Sequence, residues 1–252
     1  MKTSRKVAII IAIAFLIAVV ASCAALFSVK KVYAEYTVFG EEETTEIQNS
    51  LDKFKGKNLL FFDTDSVYEE IGKYPYYQVI SVEKQFPNVL SVQIKKRVET
   101  FNVSFGSEKY VLNEEGVVLN DSGNVSGESG VVNVTVTGVT VNSGKVGEII
   151  KTSYDKLFYS ALFMAKKAKL SDFVKSVEIL SETEVKDVIL STYTGVKITV
   201  YKADENGDGK LEKALSAFEE ASDYTKTYSE IAVYQKDDGE IAVTWINSAV
   251  TD

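Results

Sequence analysis

Six consecutive residues in this chain come close to a metal-binding pattern. Asp204-Glu205-Asn206-Gly207-Asp208-Gly209 matches the first six positions of a calcium loop. In such a loop alternate side-chain oxygens converge on the ion and a glycine allows the sharp turn. Glu212 falls at the ninth position, but Leu215 stands at the twelfth, where the pattern needs a bidentate Glu. A strand, not a helix, is expected ahead of the loop. The segment therefore reads as a Gly/Asp turn before a helix. Asp204, Asn206 and Asp208 form only a weak calcium-like set, and no metal or other cofactor is expected.

Catalytic chemistry fares no better. The chain contains no histidine, which removes imidazole bases, imidazole metal ligands and histidine-activated nucleophiles. Gly127-Glu128-Ser129-Gly130 falls short of a nucleophile elbow. The acidic neighbours Glu41–Glu43, Glu69-Glu70 and Asp237-Asp238 are adjacent in sequence, whereas an acid–base pair must face across a pocket with separated pKa values. No residue is assigned a catalytic role, and an enzyme is not expected. Cys23 is the sole cysteine, so a disulfide within the chain is excluded. The net charge is −8, and Lys2, Arg5 and Lys6 precede an uncharged run, so the acid excess falls on residues 30–252. Such a body repels phosphate backbones, and nucleic acid is not an expected partner.

Three kinds of element must position whatever function remains. The first is apolar. Val7 to Val29 carries no charge; as a helix at ~1.5 Å per residue it would reach roughly 34 Å, enough for a ~30 Å hydrocarbon core. Basic residues ahead of it and a short leading tail favour an inside N-terminus, with the body outside. Residues 1–6 are then a cytoplasmic tail and 7–29 a transmembrane helix. Two cleavage readings compete. Val20-Ala21-Ser22-Cys23 resembles a lipoprotein box that would lipidate Cys23, and Val32-Tyr33-Ala34 resembles a signal-peptidase site. All three readings put the body on the same side of the membrane.

The second element is a small α+β unit. Tyr36 to Gly40 reads as a strand. Ile47, Leu51 and Phe54 share one helical face after a cap at Thr44 or Thr45. Val67, Tyr68 and Ile71 line a second helix that Pro75 stops. Ile80 and Val82, then Leu90, Val92 and Ile94, alternate with polar residues around Phe86-Pro87-Asn88. The order is β-α-α-β-β. The neighbouring Tyr74-Pro75-Tyr76-Tyr77 cluster reads as helix-end packing. The third element follows the polar break from Asp121 to Gly130. It comprises a strand at Val132–Val136, a helix from about Ser153 to Lys169, three strands, and a helix marked by Leu211, Leu215 and Phe218. A closing hairpin turns at Asp237-Asp238-Gly239.

In the small unit the ordered signals resemble a known family. They are Val38-Phe39-Gly40, then Gly56 to Leu59 as G-x-N-L, then Asp63, then Pro75, and Val82 to Ile94 as V-x-K-x-x-P-x-x-L-x-V-x-I. Together they look like the POTRA domain of the bacterial division proteins called FtsQ or DivIB. The usual Glu-Arg after the last strand is Lys96-Arg97 here. Tyr110 to Val118 is similar to the family's next hairpin, with Asn113 for its Asp.

The resemblance implies a POTRA domain over 35–120, a mixed α/β "β domain" with an extended antiparallel sheet over 121–247, and a tail at 248–252. It implies a non-catalytic bitopic scaffold at the division septum in the cell membrane. Its partners would be FtsL- and FtsB/DivIC-like proteins, with septal peptidoglycan synthases downstream. In the family the last part of the β domain lends a sheet edge to such partners. Tyr234, Gly239, Ile241, Val243 and Trp245 are the positions it would assign here. The same hydrophobic residues read equally as plain sheet core. The alternative function is another membrane-anchored or lipoprotein binding module with a POTRA-like fold, acting in envelope assembly.

Overall fold

The computed structural model describes residues 2–37, 40–125, 130–169, 174–182, 185–220 and 230–246, with side chains described from Ile10 onward except at 41, 42, 168 and 169. The tail expected at 248–252 lies outside them. The chain divides into two units, Met1–Arg97 and Val98–Asp252.

The first unit begins with helix α1 (Lys2–Leu26). Its described side chains, residues 10–26, are exposed along their whole length. Among the described residues no helix is long and apolar enough to cross a membrane. The part of α1 whose side chains are described, residues 10–26, is itself shorter than the ~20 residues that a span needs. The helix ends three residues before the expected limit at Val29. Val29 is buried in the core that follows, because its N–H donates to the Lys57 carbonyl (2.8 Å) and its carbonyl accepts from Gly56 N (2.9 Å).

Strand β1 (Lys31–Thr37) then pairs in parallel with β3 (Val89–Lys96), and β3 pairs antiparallel with β2 (Tyr77–Gln85). The sheet order is β1-β3-β2. Two helices, α2 (Glu41–Asp52) and α3 (Asp65–Ile71), lie between β1 and β2 in the chain, as a crossover to a parallel partner requires. The expected β-α-α-β-β order is present, with β1 starting earlier than expected. Helix α2 starts at Glu41 and not after Thr44, because Gly40 caps it and the Glu43 carboxylate accepts the Gly40 N–H at 3.0 Å. Ile47, Leu51 and Phe54 are buried together with Val67, Ile71, Leu90, Val92 and Ile94. That is the α2 stripe and the β3 alternation read in the sequence, whereas Tyr68 and Ile80, read with them, are exposed, Ile80 at a bulge in β2. The tyrosine cluster packs as a helix end: Tyr74 OH lies 2.7 Å from Ser50 Oγ, and its ring is 5.8 Å from that of Tyr77. Arg97 closes the unit by donating to the carbonyls of Pro75 (2.9 Å) and Tyr77 (2.7 Å).

The second unit is built on one nine-stranded sheet, in the order β14-β13-β12-β11-β10-β7-β4-β5-β6. Its strands are β4 (Phe101–Phe105), β5 (Glu108–Leu112), β6 (Val118–Asn120), β7 (Val132–Thr137), β10 (Val174–Ser181), β11 (Lys186–Thr192), β12 (Lys197–Val200), β13 (Glu230–Gln235) and β14 (Ile241–Ile246). A two-stranded ribbon, β8 (Val141–Ser143) with β9 (Lys151–Thr152), stands apart. Two expectations are corrected here. The boundary between units falls at Arg97/Val98 and not near 120. Strands β4 to β6 join this sheet because β4 pairs in parallel with β7 across the polar break, burying Phe101 and Val103. The sheet is mixed and not a continuous antiparallel one: β4–β7, β7–β10 and β12–β13 are parallel. The last two parallel pairs follow from the helices α4 (Asp155–Lys169) and α5 (Gly207–Glu220), which separate β7 from β10 and β12 from β13 in the chain. A helix spent in a crossover returns the chain in the same direction.

Helix α4 buries the apolar stripe expected of it, Leu157, Phe158, Ala161, Leu162 and Ala165, while α5 buries Leu211 and Phe218 as expected but Ala214 in place of Leu215, which is only half-buried. At the end of β7 the backbone of Gly138 takes φ +77°, and a Cβ there would run into the Ser181 carbonyl at the end of β10. Gly138→Ala therefore combines a left-handed backbone with a backbone collision. It should cost about 3 kcal/mol or more, read as a lower urea midpoint of the β7–β10 unit.

Candidate functional site

The calcium-like loop connects β12 to α5, and its carboxylates are already engaged with protein groups. Asp204 accepts a hydrogen bond from Tyr154 OH. Asp208 and Glu212 both bind the Lys167 ammonium, at 2.5 and 3.0 Å. Asn206 takes a left-handed backbone (φ 50°) and its carbonyl starts α5 by accepting Lys210 N at 3.2 Å. The loop therefore turns its oxygens to two different neighbours, and among the described residues no group of three or more His, Cys, Asp or Glu side chains is placed to hold a metal.

A feature that the sequence pattern did not flag lies beside this loop. Lys210, on the first turn of α5, is almost wholly buried. Its ammonium donates to the carbonyls of Tyr201 and Lys202, both at 2.9 Å, and so ties the loop to the helix. Burial pushes its pKa down. Asp187 on β11 is also buried, accepts Lys202 N at 3.0 Å, and has its pKa raised by burial. Both groups line a cavity of about 450 Å³, together with Tyr201, Tyr234 and Lys236. A helical lysine spaced i−1 from Leu211 carries no outward sign of burial, so only the fold reveals it.

The residues assigned to docking fall on the β13–β14 hairpin. Its register pairs Glu230 with Ile246, Ile231 with Trp245, Val233 with Val243 and Gln235 with Ile241. The turn is closed by Gly239 N donating to the Lys236 carbonyl and Lys236 N donating to the Glu240 carbonyl, both at 2.9 Å. Gly239 sits at φ +89°, a conformation that a side chain would strain. The Lys236 ammonium and Glu240 carboxylate meet at 2.6 Å, which raises the lysine pKa and lowers that of the glutamate.

Period-two alternation splits the assigned set between two faces. Ile241, Val243 and Trp245 point with Ile231 and Val233 toward the core, where they are half-buried. Tyr234 lies opposite Ala242 on the other face and is exposed, as is Thr244. The hairpin thus brings three of the five residues together, places Gly239 in the turn, and turns Tyr234 away. Strand β14 is the last in the sheet order, and among the described residues no strand lies on its outer side. An outer strand offers main-chain donors and acceptors to an added chain.

The comparisons agree with this architecture. Residues 41–97 match the POTRA domain of FtsQ type. A cell division protein DivIB from Clostridium acetobutylicum is 24% identical over 153 residues, which covers 60% of this chain and 55% of that protein. A cell division protein FtsQ from Myxococcus fulvus is 34% identical over 62 residues, or 25% of this chain and 22% of its own length. The chain therefore spans about half of the first relative and less of the second. The major extracytoplasmic domain of DivIB from Geobacillus stearothermophilus aligns with 50% of this chain and 98% of its own at a TM-score of 0.30 and 12% identity, a likeness too slight to bear on the fold. A POTRA unit of FtsQ type joined to a sheet domain defines the class. Residues 41–97 are thus a POTRA domain of FtsQ type, and the chain is similar to the cell division proteins DivIB and FtsQ.

Two outcomes test this geometry. Trp245→Ala removes a half-buried indole from the core face and should cost about 1–3 kcal/mol in urea unfolding. Thr244→Ala, on the exposed face, should stay within about 0.5 kcal/mol. For Asp187 the raised native pKa means that the folded state holds its proton more tightly than the unfolded chain does. That stabilisation is complete below the unfolded pKa of about 3.9 and is lost as pH rises through the native value. Asp187→Asn should remove this loss, so its unfolding midpoint relative to the parent should rise as pH is raised above about 4.

Proposed function

We propose that the protein is a non-catalytic, membrane-anchored scaffold of the bacterial division septum. Its second unit would bind FtsL- and FtsB/DivIC-like bitopic partners by adding a partner strand to β14. The observation that carries this reading is the position of β14 at the end of the nine-stranded sheet. The FtsQ-type POTRA domain and the similarity to a cell division protein DivIB support it. Main-chain pairing along β14 supplies affinity, and the side chains beside it supply selectivity. The exposed Tyr234 lies one strand in from that edge, paired with Ala242 of β14, where a long partner side chain reaching over β14 could meet it.

The anchor rests on α1 and the uncharged run from Val7 to Val29. Every described side chain of α1 is exposed, including Ile10, Phe15, Leu16, Ile17 and Val20, and a helix apolar on all sides needs an apolar surround. With the N-terminus inside and the body outside, the anchor confines the docking edge to the plane of the membrane and raises its effective concentration for other anchored proteins. Septal peptidoglycan synthases would be reached through those partners. Lipidation at Cys23, which is exposed on α1, is the competing form of anchor, and intact-mass measurement distinguishes the two.

Ile241 and Trp245 pack on the core face, so charges there would damage folding along with binding. Ala242 and Thr244 lie off that face. Replacing both with lysine blunts the edge while leaving the core in place. Capture of an FtsL- or FtsB/DivIC-like partner should weaken at least ~10-fold with an unchanged melting temperature. Parent-level capture by the folded variant would place docking elsewhere. A fluorescent fusion spread evenly around the envelope of dividing cells would count against the septal role.

A further inference from the structure

The end of the POTRA unit that receives α1 carries an apolar surface the docking role does not use. The chain leaves α1 at Leu26 and runs between two loops. On one side Leu59 N donates to the Phe27 carbonyl at 2.7 Å and Val29 N donates to the Lys57 carbonyl at 2.8 Å. On the other, Lys30 N donates to the Asn88 carbonyl at 2.8 Å, and the Phe27 ring meets the Phe86 ring edge-to-face at 6.1 Å. These short contacts place both loops at the mouth of the apolar helix. Each loop presents large apolar side chains to the outside. Phe61 is 86% exposed, Leu60 is exposed beside it, Phe86 is exposed on the facing turn, and Leu26 is exposed at the helix end. Phe62 by contrast turns inward and packs edge-to-face on Phe54. The outward aim of Leu60 and Phe61 is thus not forced by a lack of room in the core.

We infer that this surface rests on the phospholipid bilayer, with Leu60, Phe61 and Phe86 set into the interfacial layer around the exit point of α1. The inference rests on the anchor reading above and goes beyond it by assigning a second contact with lipid. Continuity supplies the occupant: the patch directly borders the helix whose apolar length calls for hydrocarbon. An aromatic side chain at that depth exchanges water for the headgroup boundary, where aromatic rings are favoured. Lys30, Lys31 and Lys57 surround the patch, are exposed, and make no ion pair among the described residues. Asp63 and Asp65 follow Phe61 closely and offset part of that charge. Apolar insertion therefore outweighs attraction to anionic headgroups. The contact restrains the tilt of the POTRA unit on its anchor, which a single flexible tether would not do.

The test uses the full chain reconstituted into vesicles of phosphatidylcholine and phosphatidylglycerol. The phosphatidylcholine carries bromine quenchers either high or low on its acyl chains. Phe61→Trp, Phe86→Trp and Phe15→Trp are compared with the unsubstituted chain, whose sole Trp245 gives the background. Insertion ~5–10 Å into the boundary predicts that Trp at 61 and 86 emits to the blue and is quenched at least ~2-fold more by the shallow label than by the deep one. Trp at 15 should favour the deep label. Quenching at 15 with water-like, unquenched emission at 61 and 86 would overturn the surface contact while leaving the anchor intact. Absence of quenching at all three sites would overturn the anchor and the contact together.

Discussion

The parallel pairing of β12 with β13 is the contact on which the outer third of the second unit depends. It spans four residue pairs, from Lys197–Glu230 to Val200–Val233, and Thr199 Oγ1 adds a bond to the Glu230 carboxylate. Neither strand is long, so the pairing is held from one side by α5, whose Leu211, Ala214 and Phe218 pack in the same core as Ile231 and Val233. Once β13 is seated, β14 can only fold back along its free side through the short turn at Gly239. The last strand of the chain is thereby left as the last strand of the sheet. An edge is expensive to leave open because its backbone groups invite other strands. Among the described residues no strand follows β14 in the sheet order, and that is the position at which the proposed partner strand would add.

The loop between β12 and α5 shows how a sequence motif is redirected by its surroundings. Its acidic residues suit an ion, yet Lys167 and Tyr154 reach Asp208 and Asp204 first. The buried Lys210 ammonium then fastens the loop from beneath through two carbonyls. A buried ammonium is tolerable only where such acceptors meet it. Its role follows from that: it fixes the start of α5, and α5 in turn holds β13 and the inner face of β14.

In the first unit the corresponding junction is between α1 and the POTRA sheet. Val29, just beyond the helix, is already part of the core and is clamped by the backbone of residues 56 and 57. The linker is therefore too short to swing freely, and the loops that clamp it carry the exposed Leu60, Phe61 and Phe86. Helix α1 and the POTRA sheet therefore meet at a joint closed by backbone hydrogen bonds.

The local elements were legible because each depends on near neighbours. The stripe Ile47–Leu51–Phe54, the alternation Leu90–Val92–Ile94, the stop at Pro75 and the Asp-Gly turn of the last hairpin follow from 3.6- and 2-residue periods and from turn chemistry. The ordered motif from Val38 to Ile94 was specific enough to point to an FtsQ-type POTRA domain. Three things required the tertiary structure. The unit boundary at Arg97 depends on β4 finding β7, a pairing across thirty residues that no local pattern encodes. The mixed strand directions depend on which sheet each helix packs against. The division of the docking residues between two faces depends on register, since shifting a strand by one residue would exchange Tyr234 with Val233. Sequence alone determined most of the helices, strands and turns, because those choices are settled within a few residues, but not β4 or the β8–β9 ribbon, whose short segments carry no clear period. Which strand ends up at the rim, and which of its side chains look outward, was decided only when distant segments competed for the same backbone hydrogen bonds and the same apolar cover.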